Sequence, residues 1–202
     1  MSRTDSYPKM LIWLIIAMMV LAVMALLVVN WTNVSRSKIP VWGELPQFTF
    51  TAAHTGQPFG LEDMKGRLNV VDFIFTRCRS ACPIMGGNFS ELYSLYKGSD
   101  KVRFVSISVD PEHDSLAVLR EYARQQGVTD DRWVFLRAPV EQVRQLCEGG
   151  FMLAADDLPG GHTTKFTLVD HLGRIRSYHE GLDSTGMRIL KDNIRQLARD
   201  LP

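Results

Sequence analysis

The sequence predicts a mixed α/β domain carried behind one membrane-spanning helix. Three observations lead there. Residues Met10 to Val29 form an uncharged, almost wholly apolar run. Beyond residue 45, apolar runs of strand length alternate with amphipathic segments of helical length. Between one such strand, Leu68 to Phe75, and a helix-like segment from Pro83 to about Tyr96 lies Phe75-Thr-Arg-Cys-Arg-Ser-Ala-Cys-Pro83, which holds two of the three cysteines.

That junction is the strand–loop–helix entry at which thioredoxin-like folds place a cysteine pair, so the expected architecture is a thioredoxin-like sandwich. A chain of 202 residues with 46% hydrophobic content can build one well-packed domain. With 23 basic against 22 acidic residues the net charge is +1, and no basic stripe with interleaved aromatics occurs; nucleic acid is not an expected partner. Three cysteines are too few for a disulfide scaffold.

In chain order, residues 1–9 form a short tail expected on the cytoplasmic side, 10–30 the anchor, 31–45 a linker with Pro40, and 46–202 the domain. About 20 apolar residues suffice to cross the hydrocarbon core. Trp13 and Trp31 stand near the two ends, where indole rings favour the interface. The run exceeds the about 7–15 apolar residues of a cleaved signal peptide, and no clear small-x-small site follows, so an uncleaved anchor is expected. No cysteine ends the run to carry a lipid. Arg3 and Lys9 on one side balance Arg36 and Lys38 on the other, so charge does not decide orientation. The short tail favours N-in with the domain outside, and the absence of a transit-peptide pattern favours a bacterial inner membrane, single pass, with the domain in the periplasm.

Gln47 to Thr51 alternates as a short strand, and Thr55-Gly56 turns the chain. Lys101 to Val109 reads as a second central strand, Ser115 to Gln126 as a helix, Trp133 to Leu136 as a strand and Val140 to Glu148 as a helix. Lys165 to Asp170 and Arg174 to Tyr178 flank the turn His171-Leu-Gly173, and Asp183 begins a last helix with Met187, Leu190, Ile194 and Leu197 on one face.

Cys78 and Cys82 read either as a structural disulfide or as a working pair. On a helical path they share one face, at i and i+4. A helix N-terminus, with Arg77 and Arg79 beside the first sulfur, favours its thiolate, the form that is both nucleophile and metal ligand. Three intervening residues loosen the ring a disulfide closes and leave room for both sulfurs to hold one metal. His162, in Gly160-Gly-His-Thr-Thr-Lys165, precedes a predicted strand; as one of five histidines it reads by default as an exposed loop residue. In thioredoxin-like folds, however, the corresponding loop passes beside the cysteine pair and usually carries a cis-proline, which this approach lacks. Two thiolates and one imidazole suit copper, Cu(I) through sulfur and Cu(II) through imidazole; zinc usually takes a fourth ligand, and none is evident.

These residues identify a resemblance to the SCO/SenC family of membrane-anchored, thioredoxin-like copper proteins that assist assembly of the binuclear copper centre of cytochrome c oxidase. It runs from about Leu45 to the C-terminus and is carried by Phe75–Pro83, by Ser106-Ile-Ser-Val-Asp-Pro111 with Asp114, and by the His162 segment through Leu168-Val-Asp170 and Gly173. It implies that Cys78, Cys82 and His162 bind copper, that the cysteines form a reversible disulfide, and that the partner is a copper-accepting oxidase subunit or another copper chaperone. Asp110, at the family's Asp-Pro position, is read both as tuning the copper or its transfer and as a turn residue ending its strand. Arg79 departs from the family, which commonly has proline there.

Asp72, six residues before Cys78, occupies the position at which thioredoxins keep a buried proton acceptor; the alternative is a cap or an edge pairing. Burial there favours the rival function, a tethered thiol–disulfide oxidoreductase in which copper is not the cargo. A thiol peroxidase and a redox or copper sensor are further alternatives. Cys147 reads as a core residue, Met85 as helix packing, and His54, His113, His171 and His179 as solvated.

Overall fold

The computed structural model describes residues 6–34, 39–155 and 157–201. They divide into two compact units, one ending before Ile39 and one starting there. The first is a single helix, α1 (Ser6–Val34). Its stretch Met10–Val28 is long and apolar enough to cross a membrane, a test that a signal sequence near an N-terminus also passes. Arg3, Arg36 and Lys38 of the charge comparison lie outside the described residues, as do the side chains of Lys9 and Trp31.

The second unit is built on eight strands, β1 (Gly43–Glu44), β2 (Thr49–Ala52), β3 (Pro58–Gly60), β4 (Leu68–Ile74), β5 (Val102–Ser108), β6 (Trp133–Arg137), β7 (Lys165–Val169) and β8 (Arg174–Glu180). They form one mixed sheet in the order β1-β8-β7-β4-β5-β6-β2-β3. β4, β5 and β6 are parallel, and β7 runs antiparallel to β4. Every residue of β4 is buried, as expected of a central strand covered on both faces, where apolar residues run on without alternation. β2 and β3 form the expected hairpin, with Gly56 at φ 72°, a conformation that costs glycine little.

Helices cover both faces. On one, α3 (Ala81–Leu95), α4 (Leu116–Gln125) and α6 (Ser184–Arg199) pack through Met85, Phe89, Leu92, Leu119, Leu190 and Ile194 onto Val70, Phe104, Trp133 and Phe166. Phe89 meets the rings of Phe104, Trp133 and Phe166 at centroid distances of 4.9–5.3 Å, which pins α3 to the sheet with its N-terminus at the exit of β4. Asp183 starts α6 by accepting hydrogen bonds from the amides of Thr185 and Gly186. On the other face, α2 (Leu61–Met64) and α5 (Val140–Gln145) enclose Val71, Phe73, Val105, Ile107 and Phe151.

The helix expected over Val140–Glu148 changes form at Leu146, where a π-helical turn runs to Gly150. A side chain at Gly150 would crowd Leu146 and Pro46, so the close approach there favours glycine. The wider turn carries Leu146 and Cys147 into the core. Cys147 is therefore a packed core thiol, and burial pushes its pKa up to about 12. The loop before β7 does contain a cis peptide, Leu158–Pro159, three residues ahead of His162.

Candidate metal centre

Cys78 and Cys82 lie on either side of a helix start rather than within one helical turn. The chain turns after β4 with the Cys78 amide donating to the Phe75 carbonyl at 3.2 Å, and α3 begins at Ala81. Cys82 is thus the second residue of α3 and Pro83 the third, in the turn where a missing N–H costs nothing. The free amide of Cys82 donates to the Cys78 sulfur at 3.4 Å, and the Ser80 hydroxyl lies 3.7 Å from it.

The two thiols are unequal. Burial opposes ionisation of Cys78, but hydrogen bonds from the Cys82 side chain and amide and from Ser80 outweigh it and bring its pKa down to about 7. Cys82 is buried, and burial, with the neighbouring Cys78 adding to it, raises its pKa to about 12. The support for the first thiolate therefore comes from the helix start. Arg77 turns to Asp110, which it meets at 3.1 Å. All three cysteines are free.

His162 comes from the loop ahead of β7, which runs antiparallel to β4 and so begins at the end of the sheet where β4 leaves it. Its Nδ1 lies 2.9 Å from the Thr163 carbonyl, which only accepts, so Nδ1 carries the hydrogen and Nε2 keeps its lone pair. That Nε2 lies 3.5 Å from the Cys82 sulfur. The Phe75 ring stands edge-on to the imidazole at 5.3 Å. Burial lowers the pKa of His162, against the hydrogen bonds to Thr163 and Phe73, so the ring is held neutral. The ligating atoms of Cys78, Cys82 and His162 all lie within 4.8 Å of one another, the one such grouping of three among the described residues.

Of the neighbouring acids, Asp110 is buried against the ordinary preference of a carboxylate. Burial opposes its charge, but hydrogen bonds from His113 (2.8 Å) and Arg77 hold its pKa below the usual range. His113 is thus engaged rather than merely solvated. Asp72 is 1% exposed on the central strand, not at an edge, and desolvation raises its pKa to about 7. Its Oδ1 has no hydrogen-bond partner, and a hydrogen bond with Ser106 in the neighbouring strand only partly offsets the burial. Among the histidines read as solvated, His179 departs most: it is 5% exposed, bonded to Ser177 at 2.8 Å, and burial lowers its pKa to about 4. Met85 is buried in the core beneath α3. Thr76, to which residue type and spacing assign no role, donates its hydroxyl to Asp114 at 2.6 Å.

Fold and site together define a thioredoxin-like protein with a reduced cysteine pair facing one imidazole. The SCO1/SenC family model matches residues 44–198, and the chain belongs to that family. It is 30% identical over 154 residues to the SCO1 protein homolog of Bacillus subtilis, a match covering 73% of this chain and 79% of that one. Among solved structures it is similar to BsSco, a member of the Sco family of cytochrome c oxidase assembly proteins that contains a disulfide switch (26% identity, TM-score 0.70, covering 79% of this chain and 96% of that one). The fold is shared with ScoI of Bradyrhizobium japonicum, solved with copper bound (24% identity, TM-score 0.57, 73% and 98% coverage).

Proposed function

We propose that this protein is a copper-binding chaperone that holds copper between Cys78, Cys82 and His162 and passes it to a copper-accepting subunit of cytochrome c oxidase, or exchanges it with another copper chaperone. The observation that carries this reading is the convergence of three soft-to-borderline donors from two distant segments of the chain, with the Nε2 of His162 3.5 Å from the Cys82 sulfur. In the metal-free protein Cys78 is the readily ionised thiol, and Cys82 keeps its proton. Copper replaces that proton, so loading releases acid. Transfer proceeds by ligand exchange to thiols of the acceptor; where those are held as a disulfide, the free pair first reduces it by thiol–disulfide exchange and is itself left as the Cys78–Cys82 disulfide. The apolar segment Met10–Val28 serves as a single inner-membrane anchor, with the domain in the periplasm.

A second reading is supported by Asp72. A buried carboxyl titrating near neutrality beneath a thiol pair of unequal acidity suits thiol–disulfide exchange. The two readings separate in an anaerobic copper titration of the reduced protein, read by X-ray absorption. The chaperone predicts one copper with two sulfur neighbours and one nitrogen, and loss of the nitrogen in His162→Ala. Equal binding by both forms with unchanged neighbours removes His162 from the ligand set and leaves the oxidoreductase.

A further inference from the structure

Asp114 touches none of the three candidate ligands, yet its carboxylate joins the segments that position them. The residue is 0% exposed. One oxygen accepts the Thr76 hydroxyl at 2.6 Å, the other accepts the Ser108 hydroxyl at 2.6 Å, and the Thr76 amide points at both from 3.3 Å. Ser108 in turn accepts the amide of Asp110 at 3.2 Å, and the Asp114 amide donates to the Asp110 carbonyl at 2.9 Å. A buried carboxylate with hydroxyl and amide donors is fully engaged, and removing one leaves the others without a partner in a dry site.

Thr76 is the hinge point of this arrangement. The residue before it, Phe75, lends its ring edge to His162 and its carbonyl to the Cys78 amide. Cys78 follows two residues later. The backbone at position 76 therefore sets the first thiol and the aromatic wall behind the imidazole together. We propose that Asp114 is a positioning residue: through Thr76 it holds the cysteine loop and the Phe75 ring in the one arrangement that brings both sulfurs and the imidazole within reach of a single ion. The same carboxylate, through Ser108, locks the turn that presents Asp110 to Arg77. This rests on the copper reading for its metal readout and stands without it for its thiol readout.

The test compares Thr76→Val, which matches the shape but lacks the hydroxyl donor, with Thr76→Ser, which restores it, and with Asp114→Asn. The full chain in detergent is titrated with Cu(I) against a chromophoric chelator, and the alkylation rate of Cys78 is followed in the metal-free protein. Loss of a partner that orients metal ligands typically weakens affinity by about 10–100-fold. Thr76→Val and Asp114→Asn should show a loss of that size, with Thr76→Ser within a few-fold of the parent; Thr76→Val should still unfold cooperatively, at a lower midpoint than Thr76→Ser because the buried carboxylate loses a donor. Unchanged copper affinity and unchanged Cys78 alkylation in a folded Thr76→Val overturn the proposal. If Asp114→Asn does not fold, Thr76→Val alone decides. If the parent binds no copper, the chaperone reading fails, and the alkylation rate alone decides the clamp.

Discussion

The backbone amide of Cys82 donates to the sulfur of Cys78 at 3.4 Å, so the helix that carries one thiol stabilises the anion of the other. The pair is thereby divided into an acidic sulfur near the surface and a reluctant one beneath it. Reactivity follows. Iodoacetamide should modify Cys78 first, with a rate that rises through a midpoint of about 7, while Cys82 and the core Cys147, both pushed up to about 12, stay slow in the folded protein. Peptide mapping after partial labelling checks the order; a Cys82-first pattern contradicts the assignment.

Copper affinity should carry the same signature in its pH dependence. Both sulfurs bind as thiolates, so each proton still present at a given pH competes with the metal. Above about pH 7 only Cys82 holds its proton, and each pH unit should change the apparent affinity by about tenfold. Below that point Cys78 is protonated as well, and the slope should approach two protons per copper. His162, lowered by burial, adds nothing until more acidic pH. Chelator competition between pH 6 and 9 should show the break, and a single slope throughout would argue against a two-thiolate site.

Asp72 makes a prediction about stability. Its folded pKa is raised from 3.8 to about 7, so the folded state binds this proton more tightly than the unfolded chain does. The associated stabilisation is complete below pH 3.8 and declines as pH rises through 7, beyond which the ionised carboxylate remains a fixed penalty on the order of a few kcal/mol. Asp72→Asn should gain on the parent as pH rises from 4 to 7 and hold its advantage above that. Urea midpoints across this range are the measurement, and a gap independent of pH sinks the claim.

His179 acts in the opposite sense. Its folded pKa is depressed from 6.5 to about 4 by burial, so the unfolded chain takes up this proton first. The stability it contributes is present above pH 6.5 and is lost as pH falls toward 4. His179→Gln, which keeps an acceptor for Ser177, should flatten the acid side of the stability profile in the same urea series.

The aromatic cluster under α3 sets the scale for the core. Phe89 is fully buried and meets three aromatic rings, so Phe89→Ala should cost about 3–5 kcal/mol in denaturant unfolding. Because the same packing fixes the start of α3, the variant should also lose the acidity of Cys78, read from the alkylation midpoint.

The alternation of strands and helices was legible because β4 through β8 stand as apolar runs of strand length between segments of helical spacing, and Asp183 announces α6 by its chemistry as a cap. The cysteine pair was legible from its spacing at a strand-to-helix junction, whereas His162 stood out only through the loop position in thioredoxin-like folds and the SCO/SenC resemblance. What escaped was set by tertiary cover. A strand buried on both faces shows no alternation, so nothing around Asp72 distinguishes a buried acid from one at an edge. His179 sits near a strand end, where exposure is the natural reading; α6 closes over it, bringing Asn193 within 3.2 Å of its partner Ser177. Thr76 and Asp114 are 38 residues apart, and no local pattern foretells that a hydroxyl and a carboxylate so separated will meet. Arg77 looked like a neighbour of the sulfur in sequence but reaches across to Asp110 instead.

The imidazole and the sulfurs ride on separate segments of backbone, 80 positions apart between His162 and Cys82. On the chaperone reading, an incoming ligand would therefore take one place at a time, displacing the imidazole while both sulfurs still hold the ion. A cargo held this way would leave by a staircase of small barriers rather than one tall one.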